Sequence, residues 1–492
     1  MSSSFEIPPL DPGDRINESF RDPGGSLFRF AGRILRAVNS SGSGDLEAYL
    51  HSPHVQRLRE SGSAVGVIPL DQAEQARMLS NARVRALWDG IQATQLLEHE
   101  AIPFPSFPYE WAPEMLFAAA KLTIEMAMGL IGEGLGLKDA TPLNILFRGP
   151  KPVFIDALSV ERREPGDARW LAYAQFVRTF LLPLAMNKEF GLRMDQVFLA
   201  ARDGVEPEEI YRLLKPWQRL KRPYFGLVTM PRLLGERRRG SRPDLYKRRL
   251  DADPERALFV MTRVLSGLDK ALRRVSPPAG VQSDWSNYMD GNNNYSTEQF
   301  RFKEKFVSSM LSAHRPPVVL DVGCNNGHFS AMAARNGASV VAIDYDPVVV
   351  GQVWRTASAE NLNILPLVVN LTRPTPSIGW MNREWPSFLS RATGHFDCVL
   401  MLAVLHHMLV TERIPLPSVI NLAADLTRHL LVLEYVGPSD SMFQRLARGR
   451  EALHASLCPE QLEAACLPRF EILRRDPVPG ADRILYLLAK KA

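Results

Sequence analysis

The sequence predicts an α/β fold, with an open seven-stranded sheet in residues 284–492 preceded by a separate α+β region. Three observations predict it. Beyond Tyr295, short β-branched runs alternate with helical patterns, as in an open α/β sheet. The first of those runs ends in a glycine turn that opens a helix. The last two runs lie too close together to hold a crossover helix, so they should pair antiparallel at the sheet edge.

The candidate strands are Val318 to Val322, Ser339 to Asp344, Ile364 to Val369, Phe396 to Leu402, His429 to Val436, Phe470 to Arg474 and Arg483 to Leu488. Ahead of them, residues 1–25 are rich in Ser, Pro, Gly and Asp and read as a flexible lead. Ser26 to Val38 alternates like a small hairpin turning at Gly32. Leu46 to Leu97 is helical in places. Pro103, Pro105, Pro108 and Pro113 then break the chain before an apolar helix, Met115 to Ile131, and a second helix is expected over Trp170 to Met186. Residues 206–275 read as mostly helical, with a boundary near Pro277 to Gly280.

At 492 residues and 46% hydrophobic content, the chain should fold as two or three domains. Charged residues make up 23% and the formal net charge is +5, a mild basic excess. No apolar run approaches the ~18 residues of a membrane span, and the first residues carry no apolar signal region, so a cytoplasmic location is expected. The cysteines Cys324, Cys398, Cys458 and Cys466 lack the paired spacing of a zinc site or a disulfide framework. No metal is expected.

In Val318 to Ser330, VVLDVGCNNGHFS, Gly323 allows a tight turn off the strand and Gly327 allows the next helix to pack closely. A dinucleotide site also wants a glycine between them, so that pyrophosphate can approach the backbone. Asn325 stands there instead. The pattern therefore suits S-adenosylmethionine (SAM), which has a sulfonium, an amino acid end, a ribose and an adenine but no pyrophosphate. Asp321 is placed to accept from the amino group, directly or through water. Twenty-one residues after Gly323, Asp344 ends the next strand where both ribose hydroxyls would donate to it. Asn370, ending the third strand, offers a side-chain or backbone partner to the adenine amino group. Leu402 to His407 would lie over the ligand, and His406 or His407 is the candidate general base. Cys324, Tyr345 and Leu371 complete the expected cofactor set.

These residues resemble the class I SAM-dependent methyltransferase family over residues 284–492, which implies a Rossmann-like sheet and methyl transfer. The segments DWSNYMDGNNNY, GWMNREWPSFLSR and EYVGPSDSMFQRL resemble a narrower bacterial, nodulation-type group. That likeness implies Tyr288, Tyr295, Trp380, Arg383, Arg391 and Asp440 as pocket residues.

A second constellation lies in LKDATPLNILFRGPKPVFIDALS. Asp139 is followed five residues later by Asn144, and Asp156 comes twelve beyond. In phosphoryl transfer one carboxylate takes a hydroxyl proton while an Asn and a second Asp hold magnesium. Residues 26–215 thus resemble the protein-kinase-like fold. Lys138 precedes Asp139, Ala157 and Leu158 follow Asp156, and no glycine-rich loop precedes them, so the resemblance implies a degenerate module.

Residues 216–283 form the basic connection. Between Arg212 and Arg249 stand thirteen Lys or Arg against Glu236 and Asp244, with Trp217, Tyr224, Phe225 and Tyr246 interspersed. Such a run suits phosphate or RNA, or is a solvated helical face. The expected function is methylation of an oxygen or nitrogen of a small-molecule or glycan-like acceptor. The alternatives are a phosphotransferase built on Asp139, Asn144 and Asp156, and a non-catalytic regulator that binds SAM.

Overall fold

The computed structural model describes residues 21–236, 250–278, 280–283, 295–454 and 456–491. Most of the expected flexible lead, the segment 237–249 and Tyr288 lie outside the described residues.

The N-terminal hairpin forms as expected. Strands β1 (Gly25–Phe30) and β2 (Arg33–Asn39) pair antiparallel about Ala31 and Gly32, both at positive φ, the geometry of a tight two-residue turn. With β3 (Val67–Pro69) and β4 (Ala93–His99) they make a four-stranded sheet in the order β1-β2-β4-β3. The helices Ser40–His51, Pro53–Glu60, Gln72–Leu79 and Ala82–Gly90 fill the connections. The apolar helix starts at Pro113, two residues earlier than Met115, because proline suits the first helical turn. Beyond it, β5 (Leu135–Leu137) pairs with β8 (Val160–Arg162), and β6 (Ile145–Arg148) with β7 (Lys151–Phe154).

All seven C-terminal strands form, as β9 (Val318–Val322), β10 (Ser339–Asp344), β11 (Ile364–Val368), β12 (Phe396–Met401), β13 (Thr427–Val436), β14 (Phe470–Pro477) and β15 (Arg483–Lys490). Their order is β11-β10-β9-β12-β13-β15-β14, parallel except for the last two, which join antiparallel with β14 at the edge. The first connections run outward from β9 through β10 to β11, and the chain then returns to place β12 on the other side of β9. That reversal opens a crevice at the carboxyl ends of β9 and β12, where ligands of open α/β sheets bind.

The two sheets share one continuous core, to which Phe104 and Trp111 contribute alongside Phe388 and Phe396. Phe104 packs with its ring centroid 6.0 Å from Phe388 and 5.8 Å from Phe396. Trp354 Nε1 donates to the Pro150 carbonyl at 2.9 Å. Arg391 also belongs to this contact and not to a ligand pocket. Its guanidinium pairs with Glu110, donates to the Pro105 carbonyl at 2.5 Å, and lies 5.0 Å from the Phe107 ring centroid.

Candidate active site

A cavity of about 440 Å³ lies in the crevice, within the size range of ligand pockets. The turns after β9, β10, β11 and β12 wall it, together with Phe300 and Lys303 of the helix Thr297–His314. Asp321, Gly323, Cys324, Asn325, Asp344, Tyr345, Asn370, Leu371, Leu402, His406 and His407 all line it. Gly327 does not. It caps the helix His328–Arg335 at φ +79, and a Cβ there would stand 2.9 Å from Val353 Cγ2, so its role is close packing.

The turn after β9 explains its own sequence. Gly323 has φ +68, and a Cβ would come within 2.6 Å of Val404 Cγ2. Asn325 has φ +49, in the left-handed region that Asn tolerates better than most residues. Its backbone N–H donates to Asp344 Oδ2 at 3.0 Å, while the Asp346 N–H donates to Oδ1 at 3.1 Å. Those bonds fix the carboxylate at the end of β10. Asp321 Oδ2 accepts from Ser330 Oγ at 2.5 Å. Burial pushes both carboxyls up to about 6, the Ser330 hydrogen bond and the Lys303 charge opposing it at Asp321 and backbone N–H groups at Asp344. Burial likewise raises the Cys324 thiol, so no thiolate forms there near neutral pH.

Asn370 is occupied within its own turn. Its Oδ1 accepts from Thr372 N at 2.9 Å and from Thr372 Oγ1 at 2.6 Å, which uses both lone pairs. At the far wall, β12 gives way to Ala403 at φ +56 and then to a π-helical turn, His407–Thr411, a distortion common at functional sites. The His406 and His407 rings lie with centroids 4.3 Å apart and planes tilted by 43°. Both imidazoles are held neutral, His406 by burial and then by the charges of Arg483 and Lys303 and its neighbouring ring, His407 by burial. Neither ring nitrogen of His406 has a hydrogen-bond partner among the described residues.

Behind this wall lies a buried charge network of which the sequence motifs named Tyr295 and Asp440 but not Lys303, Glu434 or Arg483. Lys303 Nζ sits 2.7 Å from Glu434 Oε2, and Arg483 Nη1 donates to Glu434 Oε1 at 3.1 Å. Arg483 Nε also donates to Asp440 at 2.8 Å, and Tyr295 donates to Glu434 at 2.6 Å. Burial works against ionisation of Glu434, but the flanking Lys303 and Arg483 outweigh it and hold the carboxyl below its ordinary value. Tyr295, Lys303 and Arg483 face the cavity, whereas Asp440 supports it from behind. The available signal was ionisable residues set in apolar runs: Lys303 in phase with Phe300, Phe306, Val307 and Met310, and Glu434 inside LLVLEYV. Trp380 and Arg383, in contrast, are exposed on a surface turn and line no part of this cavity.

In the N-terminal region Arg36 Nη1 donates to Asp156 Oδ1 at 3.0 Å, Asn144 Nδ2 donates to Ser159 Oγ at 3.2 Å, and Gln175 Nε2 donates to Asp139 Oδ1 at 3.3 Å. Burial opposes ionisation of Asp156, but the Arg36 guanidinium prevails and keeps the carboxyl below its usual range.

Residues 295–465 match the family model described as Methyltransferase domain. Over 477 residues the chain is 29% identical to the nodulation protein NoeA of Rhizobium meliloti (strain 1021), covering 96% of each chain. The N-methyltransferase NodS from Bradyrhizobium japonicum WM9, in complex with S-adenosyl-L-homocysteine, is 16% identical, covering 43% of this chain and 94% of its own at a TM-score of 0.31. The bifunctional kinase-methyltransferase WbdD is 17% identical, covering 42% of each chain at a TM-score of 0.30. The C-terminal part of this chain is a methyltransferase domain, and the protein is an enzyme that uses S-adenosylmethionine as its cofactor.

Proposed function

We propose that the enzyme methylates an oxygen or nitrogen of a small-molecule or glycan-like acceptor, with His406, or its neighbour His407, receiving the acceptor's proton. The observation that carries this reading is the pair of unpartnered ring nitrogens on buried His406 in the cavity wall. Buried polar atoms are normally satisfied, so an unsatisfied imidazole in a ligand cavity marks where a ligand supplies the partner. Burial keeps that imidazole in the proton-accepting form.

The residues present fit the cofactor. Asp344, aimed into the cavity by two backbone N–H groups, takes the ribose hydroxyls. Asp321 takes the amino group, and Lys303, whose charge acts on Asp321, takes the carboxylate beside it. Because Thr372 occupies both lone pairs of Asn370 Oδ1, the adenine amino group meets backbone in that turn. Bound there, SAM supplies an electrophilic methyl group on sulfur. The chain's part is alignment of the acceptor in line with it and acceptance of one proton.

The same reading makes residues 26–215 a degenerate kinase-like scaffold, residues 216–283 a connection and residues 284–492 the transferase. A magnesium-binding Asp needs open oxygens, whereas Asp156 Oδ1 already receives Arg36 Nη1 and the Leu158 N–H. That pairing favours a scaffold over a phosphotransferase.

The test is transfer of labelled methyl from SAM to a panel of hydroxyl- and amine-bearing glycans and small molecules. Loss of about 10²-fold or more in kcat for His406→Ala, with SAM affinity retained, supports the proposal. Full activity in both His406→Ala and His407→Ala contradicts the base assignment, and SAM binding without transfer to any acceptor favours the regulator.

A further inference from the structure

The basic stretch singled out in the sequence has a structure that methyl transfer does not use. The segments Pro207–Leu213, Pro216–Arg219, Phe225–Thr229 and Met230–Glu236 pack together as a small helical cluster. Ile210, Leu214, Tyr224, Leu227 and Val228 anchor it in the main core. Between these anchors, large apolar side chains turn outward. Leu220 is 72% exposed, Trp217 58% and Leu213 51%, and Phe225 and Leu233 are exposed beside them. Scattered apolar residues on a surface are ordinary, but so many within one small cluster mark an interaction site.

Exposed Lys215, Lys221 and Arg222 lie among them and form no ion pair with a described residue. In the sequence that follows, residues 237–249 add seven Lys or Arg against Asp244 alone. The occupant must therefore be anionic and must also receive aliphatic side chains. Leu213, Leu220 and Leu233 offer nothing to the bases or phosphates of RNA, whereas an anionic bilayer meets both demands: headgroups for the cations, acyl chains for the leucines, and the interface between for Trp217. No described helix is long and apolar enough to cross a membrane, so attachment would be peripheral.

We infer that the helical cluster of residues 207–234 docks on an anionic phospholipid bilayer. Each exposed leucine or aromatic contributes by leaving water, and each lysine or arginine by its attraction to lipid phosphate, so binding needs both sets.

Cosedimentation of the full chain with vesicles tests this. Binding is expected to phosphatidylcholine vesicles in which about a third of the lipid is phosphatidylglycerol, weakening with added salt, and not to phosphatidylcholine alone. The Trp217→Ala/Leu220→Ala pair should weaken partitioning about tenfold or more. The Lys215→Gln/Lys221→Gln/Arg222→Gln triple should do the same, and both should keep parental SAM affinity as a check on folding. No binding to the anionic vesicles, or undiminished binding of the Trp217→Ala/Leu220→Ala variant, overturns the inference. So does displacement from vesicles by single-stranded RNA that the same variant still binds, or a dimer that forms without lipid and dissolves in that variant.

Discussion

Arg391 and Glu110 are 281 residues apart in the chain, yet they meet as a buried ion pair between the N-terminal region and the methyltransferase domain. Glu110 also accepts from Thr375 Oγ1 at 2.6 Å and from the Phe107 N–H at 3.2 Å. The pair is thus fully supplied with partners in the buried interior. Removing one member leaves the other buried and unpaired, so Arg391→Ala should cost about 3–5 kcal/mol. Urea denaturation measures this. Because one core spans both sheets, tryptophan fluorescence and far-ultraviolet dichroism should report a single coincident transition in the parent.

A second buried pair gives a similar prediction inside the domain. Glu434→Ala strands Lys303 and Arg483 without their shared carboxylate, and a loss of about 3–5 kcal/mol is expected by the same denaturation. Equal stability of parent and variant would show that the network is solvated.

In the turn after β9 the Gly323 position leaves no room for a side chain. Gly323→Ala combines a positive φ with a methyl 2.6 Å from Val404, so it should lower stability by about 1–3 kcal/mol and weaken SAM binding, read as a fall in Tm together with a loss of affinity.

Burial sets a pH dependence. Asp321 and Asp344 have folded-state values near 6 against an ordinary 3.8, so the folded chain holds these protons more tightly than the unfolded one. The stability they contribute is complete below pH 3.8 and is lost as pH rises through 6. SAM carries positive charge and favours the carboxylate forms. Its binding near pH 6 should therefore release protons, seen in calorimetry as a dependence on buffer ionisation enthalpy that is gone by about pH 8. No buffer dependence near pH 6 would place both groups in the ionised form before binding.

The sheet was legible because β9 to β13 and β15 are largely buried and read as short continuous apolar runs between turn signals. The bounds of β9 and β10 agree with the sequence reading, while β14 runs on to Pro477 through a register shift between Ile472 and Arg474 that no local pattern announces. The cavity residues were legible because the residues lining its first walls sit at strand ends and the turns beyond them. Lys303, Glu434 and Arg483 were not, since each finds its partners on other elements far along the chain. Arg391 was misplaced for the same reason: its segment shows an unusual composition, but nothing local says which surface it meets. Asn370 shows a further limit, because only the Thr372 hydroxyl beside it reveals that its side chain is already in use.

The most direct measurement is calorimetric titration of SAM into the parent chain, Asp344→Ala and Asp139→Ala. Two charge-assisted hydrogen bonds of about 1.5–3 kcal/mol each are lost without Asp344, so its variant should bind at least about a hundredfold more weakly, while Asp139→Ala matches the parent. Parental affinity in Asp344→Ala, or no SAM binding by the folded parent, would contradict the assignment of this cavity to the cofactor.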